Sequence, residues 1–166
     1  MDLMDFEGEN LYFEESLPAE VEDLIQTAGG LYGEGGAEQP LLEALRQAPE
    51  SLNVLVAAYR FYYYQHRLED ALRIAGQALA VTARRLDIPL AWALLSEAHL
   101  SQGGPAAMAL LRFHLLSLKA EAYLLLRLGR QEEGKAILEK LVALDSNNRL
   151  GAQQLLEVVG VVEAEA

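Results

Sequence analysis

Ala37-Glu38-Gln39-Pro40-Leu41-Leu42-Glu43-Ala44-Leu45-Arg46-Gln47-Ala48-Pro49 is echoed 34 positions later by Ala71-Leu72-Arg73-Ile74-Ala75-Gly76-Gln77-Ala78-Leu79-Ala80-Val81-Thr82-Ala83. Small residues coincide: Ala37 with Ala71, Ala44 with Ala78, Pro49 with Ala83. A fixed recurrence in this range marks stacked supersecondary units, each too small to bury its own apolar face. The expected fold is all-α, made of stacked antiparallel helical hairpins. Alanine at such places lets paired helices approach where a larger side chain would hold them apart.

Outward from this stretch, glycine and proline divide the chain. Val21, Leu24, Ile25 and Ala28 follow Pro18 at helix spacing and stop at Gly29-Gly30. Pro40 suits the first turn of a helix over about 38–48, which Pro49 closes. Ser51 is placed to cap a helix running to about Gln65; Leu68 to about Leu86 is its partner, ended by Asp87-Ile88-Pro89. A further helix is expected from about Leu90 to Gln102, before Gly103-Gly104, with Ser96 and Ser101 on its polar face.

At this point the repeats resemble the tetratricopeptide family. That family places bulky or apolar residues at the fourth, seventh, eighth and eleventh positions, a turn glycine near the fifteenth, and alanine at the twentieth and twenty-seventh. Residues 115–148 resemble it through Leu118, Ala122, Leu125, Gly129, Leu138 and Leu141, with Gly134 for the small alanine and Ser146 for the closing proline. Residues 52–85 resemble it through Leu55, Ala58, Tyr59, Tyr62, Ala71 and Ala78, with His66 in place of the turn glycine. Residues 18–51 match through Val21, Leu24, Ile25, Ala37, Ala44 and Pro49. The resemblance implies a right-handed solenoid over residues 17–166 as a single domain, finished by a C-terminal capping helix.

One repeat, 89–114, is truncated: Trp92, Leu95, His99 and Gly103 fit its fourth, seventh, eleventh and fifteenth positions, but Gly129 follows Gly103 by 26 residues rather than 34. Two arrangements absorb the shortfall, either one long fused helix from about 105 to 128 or a tight break near Phe113-His114. Seventeen of the twenty-four residues from Pro105 to Leu128 are Ala, Met, Leu, Phe or Tyr, so such a helix lacks a continuous polar face and must be covered on several sides. Its cover comes either from neighbouring hairpins or from a second copy meeting Leu110, Phe113, Leu124 and Leu128. In the second case the protein is a homodimer.

Residues 1–45 hold twelve acids and no Lys or Arg, whereas residues 46–166 hold thirteen of each sign. A polyanion is repelled by the first part and offered no basic stripe by the second, which argues against nucleic acid and anionic membranes. There are no cysteines, the first residues are acidic, and no apolar run reaches membrane-spanning length, so a cytoplasmic protein is expected. Within the acidic end, residues 1–16, Glu9-Asn10-Leu11-Tyr12-Phe13 is similar to a plant-virus protease site used in expression vectors, with Glu14 where the cleavable Gln would stand. It is either a cloning remnant or coincidence. If native, Phe6, Leu11, Tyr12 and Phe13 form a short docking strip.

Chemical motifs are weak. Gly33-Glu34-Gly35-Gly36 has no Lys-Ser/Thr after it and its acids repel phosphate; His66, His99 and His114 have no metal-ligand spacing; no nucleophile elbow is present. The expectation is a non-enzymatic protein without cofactor or metal. By the resemblance, groove-facing positions fall on Asn53, Val56, Arg60, Tyr63 and Tyr64, on Glu97, and on Lys119, Tyr123, Leu126 and Arg127. Tyrosine anchors with arginines suit a peptide segment of a partner protein, as in an adaptor or assembly chaperone. The alternatives are a self-associating structural module and a regulatory domain whose groove is filled by its own acidic segment, with Arg60, Lys119 and Arg127 as counter-charges.

Overall fold

The computed structural model describes residues 15–33 and 35–165. The strip Phe6, Leu11, Tyr12 and Phe13 lies outside the described residues. Among those described, the chain is all-helical: α1 Ala19–Gly30, α2 Glu38–Gln47, α3 Leu52–Tyr64, α4 Leu68–Leu86, a 3-10 turn Trp92–Leu94, α5 Glu97–Leu100, α6 Pro105–Arg127, α7 Gln131–Leu144 and α8 Ala152–Glu165. They form two compact units, divided between Val81 and Thr82.

In the first unit α1 packs on α2 and α2 on α3. Val21, Ala44 and Val54 form a core cluster that Leu17, Leu24, Ile25, Leu45 and Ala48 surround. The alanines shared by the two stretches, Ala37, Ala44, Ala71 and Ala78, are all buried, which is why the recurrence carries no larger side chain there. Leu41, Leu52, Leu55 and Ile74 are also completely buried, each contributing about 1.5–3 kcal/mol by leaving water. Between α3 and α4 the chain turns at His66, in the left-handed region at φ 57°. The Arg67 N–H donates to Tyr62 O at 2.9 Å and the His66 N–H to Tyr63 O at 3.1 Å, satisfying two carbonyls that the helix end would otherwise leave open.

The start of α3 is capped from two directions. Ser51 accepts the Val54 N–H at 3.3 Å. The Glu15 carboxylate accepts from Ser51 Oγ at 2.7 Å, from the Leu52 N–H at 3.1 Å and from the Asn53 N–H at 3.4 Å. Glu15, although within the acidic end 1–16, therefore belongs to the folded body, because three donors at a helix N-terminus favour a carboxylate.

In the second unit α6 packs on α7 and α7 on α8. The long apolar segment is one helix, Pro105–Arg127, with proline in its first turn. A Cβ built at Gly134 would lie 2.8 Å from Ala122 O and 2.8 Å from Leu126 Cγ, so α6 and α7 approach more closely than alanine permits. The repeat's small position is glycine here for that reason.

The helix expected over 90–102 does not form. Ala91 and Leu95 are extended, at ψ 108° and 140°, and a single 3-10 turn stands between them. Leu95 is 2% exposed; burying this side chain takes the backbone out of helix, and tertiary packing overrides propensity. Ser96, read as a polar-face residue, instead restarts the chain: its N–H donates to His99 Nδ1 at 3.0 Å in a capping box at the head of the four-residue α5. Ser101 is also outside any helix and donates back to Ala98 O at 3.2 Å.

Candidate functional site

The run Phe61-Tyr62-Tyr63-Tyr64 sweeps round the end of α3, and each ring meets a different environment. Phe61 and Tyr62 are buried, Tyr63 is half-buried, and Tyr64 is 52% exposed. Tyr63 lies nearly parallel to the buried Tyr59 ring, with centroids 5.9 Å apart. It also meets the Tyr64 ring edge-on at 5.4 Å. Aromatic pairs in these geometries contribute beyond their area, so Tyr64 is held in place although its outer face is open.

Ala57, Arg60 and Tyr64 recur along α3 at helical spacing and form one wall of a cleft of about 340 Å³. Ile25, Ala28 and Gly29 of α1 form the facing wall, with Leu41 of α2 at the base and Tyr32 at the end. Tyr32 comes from the glycine-rich turn after α1, and its placement is over-determined: its hydroxyl donates to Ala57 O at 3.4 Å and its ring meets Phe61 edge-on at 5.6 Å. The Arg60 guanidinium stands 5.9 Å from the Tyr64 ring centroid, a cation–π distance. The lining is thus mostly apolar, with two phenols and one fixed positive charge, the composition of a site for an apolar side chain beside an acid.

Of the residues expected to face a ligand in this unit, Arg60 and Tyr64 line the cleft and Tyr63 supports it from behind. Val56 does not face it: it is 8% exposed and belongs to the core side of α3. Asn53 sits at the foot of the same α3 face, where its N–H reaches Glu15. The α1 wall and Tyr32 were not readable as site residues, because only the folded turn brings Tyr32 back over Ala57.

The second unit holds the remaining candidates and is described by itself. Glu97 is exposed in the short α5, not on a long groove-lining helix. Lys119 Nζ donates to Leu150 O at 2.6 Å, and burial lowers its pKa; it braces the turn before α8. Leu126 packs at the close approach between α6 and α7, beside Gly134. Arg127 donates to the Tyr123 hydroxyl at 3.0 Å with its guanidinium 5.7 Å from that ring.

The proposed self-association surface on α6 is corrected by burial. Phe113 and Leu124 are 0% exposed, and Leu110 and Leu128 are partly buried. Phe113 and Leu124 are covered within the chain and offer no face to a second copy, whereas Met108, near the start of α6, is 47% exposed. Other exposed apolar side chains include Val158, Val161 and Val162 on α8.

Glu38 and His114 have structural employment. In the first unit Glu38 accepts from Arg67 at 2.7 Å and from the Tyr62 hydroxyl at 3.1 Å, and the Arg67 hydrogen bond lowers its pKa. His114 is buried, shares a 2.6 Å hydrogen bond with Thr82 Oγ1, and is pushed down to about 4 by loss of solvation. Among the described residues no cluster of three His or acidic side chains is placed to hold a metal, and no helix is long and apolar enough to cross a membrane.

The sequence is 51% identical over 165 residues to a protein of Azotobacter chroococcum mcd 1 described as "Uncharacterized 19.8 kDa protein in nifW 5'region". The match takes in 99% of this chain and 92% of that one, so it runs across Glu9–Phe13. No family model matches the chain, and no solved structure matches it.

Proposed function

We propose, for a chain that belongs to the family of the Azotobacter chroococcum protein of the nifW 5′ region, a non-enzymatic role: an adaptor or assembly chaperone that holds a peptide segment of a partner protein. The observation that carries this is the cleft between α1 and α3, where Tyr32, Arg60 and Tyr64 surround an apolar floor. It suits a segment with one or two apolar anchors and an adjoining acid, since Tyr and Arg concentrate binding energy at protein surfaces. Proteins encoded beside nifW are the first partners to try.

A tetratricopeptide-like arrangement underlies the reading. Three fifteenth positions, His66, Gly103 and Gly129, all adopt positive φ. The twentieth and twenty-seventh positions are buried small or apolar residues: Ala71, Ala78, Gly134 and Leu141. In such repeats the first helix of each pair lines the concave side, and on this reading α1 and α3 are those first helices.

The test is peptide display on the immobilised chain, followed by measured affinities for the selected peptides. Tyr64→Ala and Ala57→Arg should each weaken binding at least tenfold, about 1.4 kcal/mol, while Gln131→Ala leaves it unchanged. Selection of no consensus, or equal binding by the cleft variants, overturns the reading.

Self-association is the second reading. It is favoured by Val158, Val161 and Val162, each more than half exposed on one side of α8. Mass measurement over a concentration series, with Val158→Glu/Val162→Glu beside the parent chain, decides it. A monomer at every concentration removes it.

A further inference from the structure

α8 carries apolar side chains on two sides. At about 100° per residue, Ala152 and Val159 fall on the same side, and both are buried where α8 packs in its unit. Val158, Val161 and Val162 lie together about a third of a turn away, each more than half exposed. Valine is a poor filling for a solvated helix face, since it forms helix less well than Glu, Gln or Lys and its methyl groups gain nothing while water covers them. What it offers is stiffness. In a helix one χ1 rotamer is about 90% populated, so little side-chain entropy is lost when another surface covers it. The same face is bordered by acid: Glu157, Val161 and Glu165 follow one another at spacings of four and form one row, and both carboxylates are exposed. Glu157 accepts from the neutral Gln153 amide at 3.2 Å, which does not offset its charge. α8 contains no Lys or Arg, and its last turn, where the helix dipole favours cations, has no basic residue.

We propose that this face of α8 docks an amphipathic helix of a partner protein, its apolar stripe lying against Val158 and Val162 and Lys or Arg at the stripe's edge meeting Glu157 and Glu165. Those acids stand about 12 Å apart along the axis at 1.5 Å per residue, so the partner presents two cations about two turns apart. A second copy of this chain fits the same valines less well. α8 against α8 brings acid to acid whichever way the helices run, and three valines fall well short of the roughly 800 Å² that each side of a stable dimer buries. An anionic membrane is repelled by the same carboxylates. The docking does not rest on the α1/α3 cleft being a peptide site, because α8 belongs to the other unit.

The probe is a fluorescein-labelled helical peptide with leucines at i, i+3, i+4 and i+7 and Lys at the edges of that stripe, paired with the same peptide carrying Glu for Lys. Against the full chain the Lys peptide should bind at least tenfold more tightly than the Glu peptide. Val158→Gln/Val162→Gln should weaken the Lys peptide at least tenfold without loss of helix, because glutamine is the better helix former. Glu157→Gln/Glu165→Gln should weaken it as much. Glu132→Gln/Glu139→Gln, which removes two exposed charges from α7, should leave the affinity within twofold, as should Tyr64→Ala in the cleft. Equal losses from the α7 and α8 acid pairs reduce the binding to general attraction by an acidic chain and overturn the proposal. So does an affinity unmoved by the valine substitutions, or no binding of the Lys peptide. A dimer that Val158→Gln/Val162→Gln breaks assigns the face to a second copy, and sedimentation with phosphatidylglycerol vesicles that the same substitutions abolish assigns it to a lipid surface; either result overturns the proposal as well. Failure of the cleft variants in peptide display while the α8 results hold sinks the cleft reading alone.

Discussion

His66 and Gly129 close two different hairpins with the same pair of hydrogen bonds. At His66 the two bonds run to Tyr63 O and, from the next residue, to Tyr62 O; at Gly129 they run to Leu126 O at 3.1 Å and, from Arg130, to Leu125 O at 2.9 Å. Both residues are left-handed, at φ 57° and 80°. The first hairpin therefore keeps the turn and gives up the glycine, at a steric cost that a residue without Cβ avoids. His66→Gly should stabilise the chain by about 0.5–1 kcal/mol, and Gly129→Ala should destabilise it by about 1–2 kcal/mol. Urea unfolding of the two variants beside the parent gives both signs. A destabilising His66→Gly would mean that the imidazole has its own contacts at the turn.

Gly134 and Gly76 form a contrasting pair. Both lie inside helices, where glycine costs about 1 kcal/mol relative to alanine. A Cβ at Gly76 meets nothing within 4 Å, whereas one at Gly134 meets Ala122 O at 2.8 Å. Gly76→Ala should therefore raise the stability by about 0.5–1 kcal/mol. Gly134→Ala should lower it by about 1–3 kcal/mol, since the α6 backbone has to retreat. Equal signs for the two would show that α6 and α7 can separate at no cost.

The helix bounds were largely legible because glycine and proline mark them: Pro18, Gly29, Pro49, Pro105 and Gly129 act locally, as does the Ser51 cap. Leu68–Leu86 reads directly from its periodicity; of the two arrangements left open over 105–128, the structure has the single long helix. What failed to read is non-local. Leu95 abandons helix to enter a core whose existence the segment 90–102 does not announce. Phe113 and Leu124 look like contact residues until their cover is known. In the cleft, the α3 wall follows from helical spacing, but the α1 wall depends on a glycine-rich turn folding Tyr32 back onto Ala57.

Glu15 illustrates the same non-locality in a testable form. It reaches Ser51 across 36 residues, and nothing in its local sequence, a run of acids and apolar residues, marks it as a cap for α3. Glu15→Gln keeps much of the shape but removes the charge at the head of α3; Glu15→Ala removes both. Expected losses are about 0.5–1 kcal/mol for the first and about 1–2 kcal/mol for the second. The Glu15→Gln loss should shrink in high salt. Stabilities of both variants within error of the parent would detach Glu15 from the fold.

His114 makes the second unit sensitive to acid. Its ordinary pKa is 6.5 and its folded value about 4, because burial disfavours the imidazolium. The unfolded chain therefore takes up a proton at a higher pH than the folded one. Stability is unaffected above about pH 6.5 and falls as the pH drops from there toward 4, by on the order of 3 kcal/mol at most. Glu121 acts in the opposite sense: burial raises its pKa, so acidification through that range restores stability. The difference between two chains isolates the histidine. His114→Leu/Thr82→Val removes both ends of the hydrogen bond and leaves no orphaned hydroxyl, while the Glu121 contribution cancels. Unfolding free energies at pH 7, 5.5 and 4.5 should fall more steeply for the parent than for the double variant. Parallel profiles would place the acid sensitivity in another group.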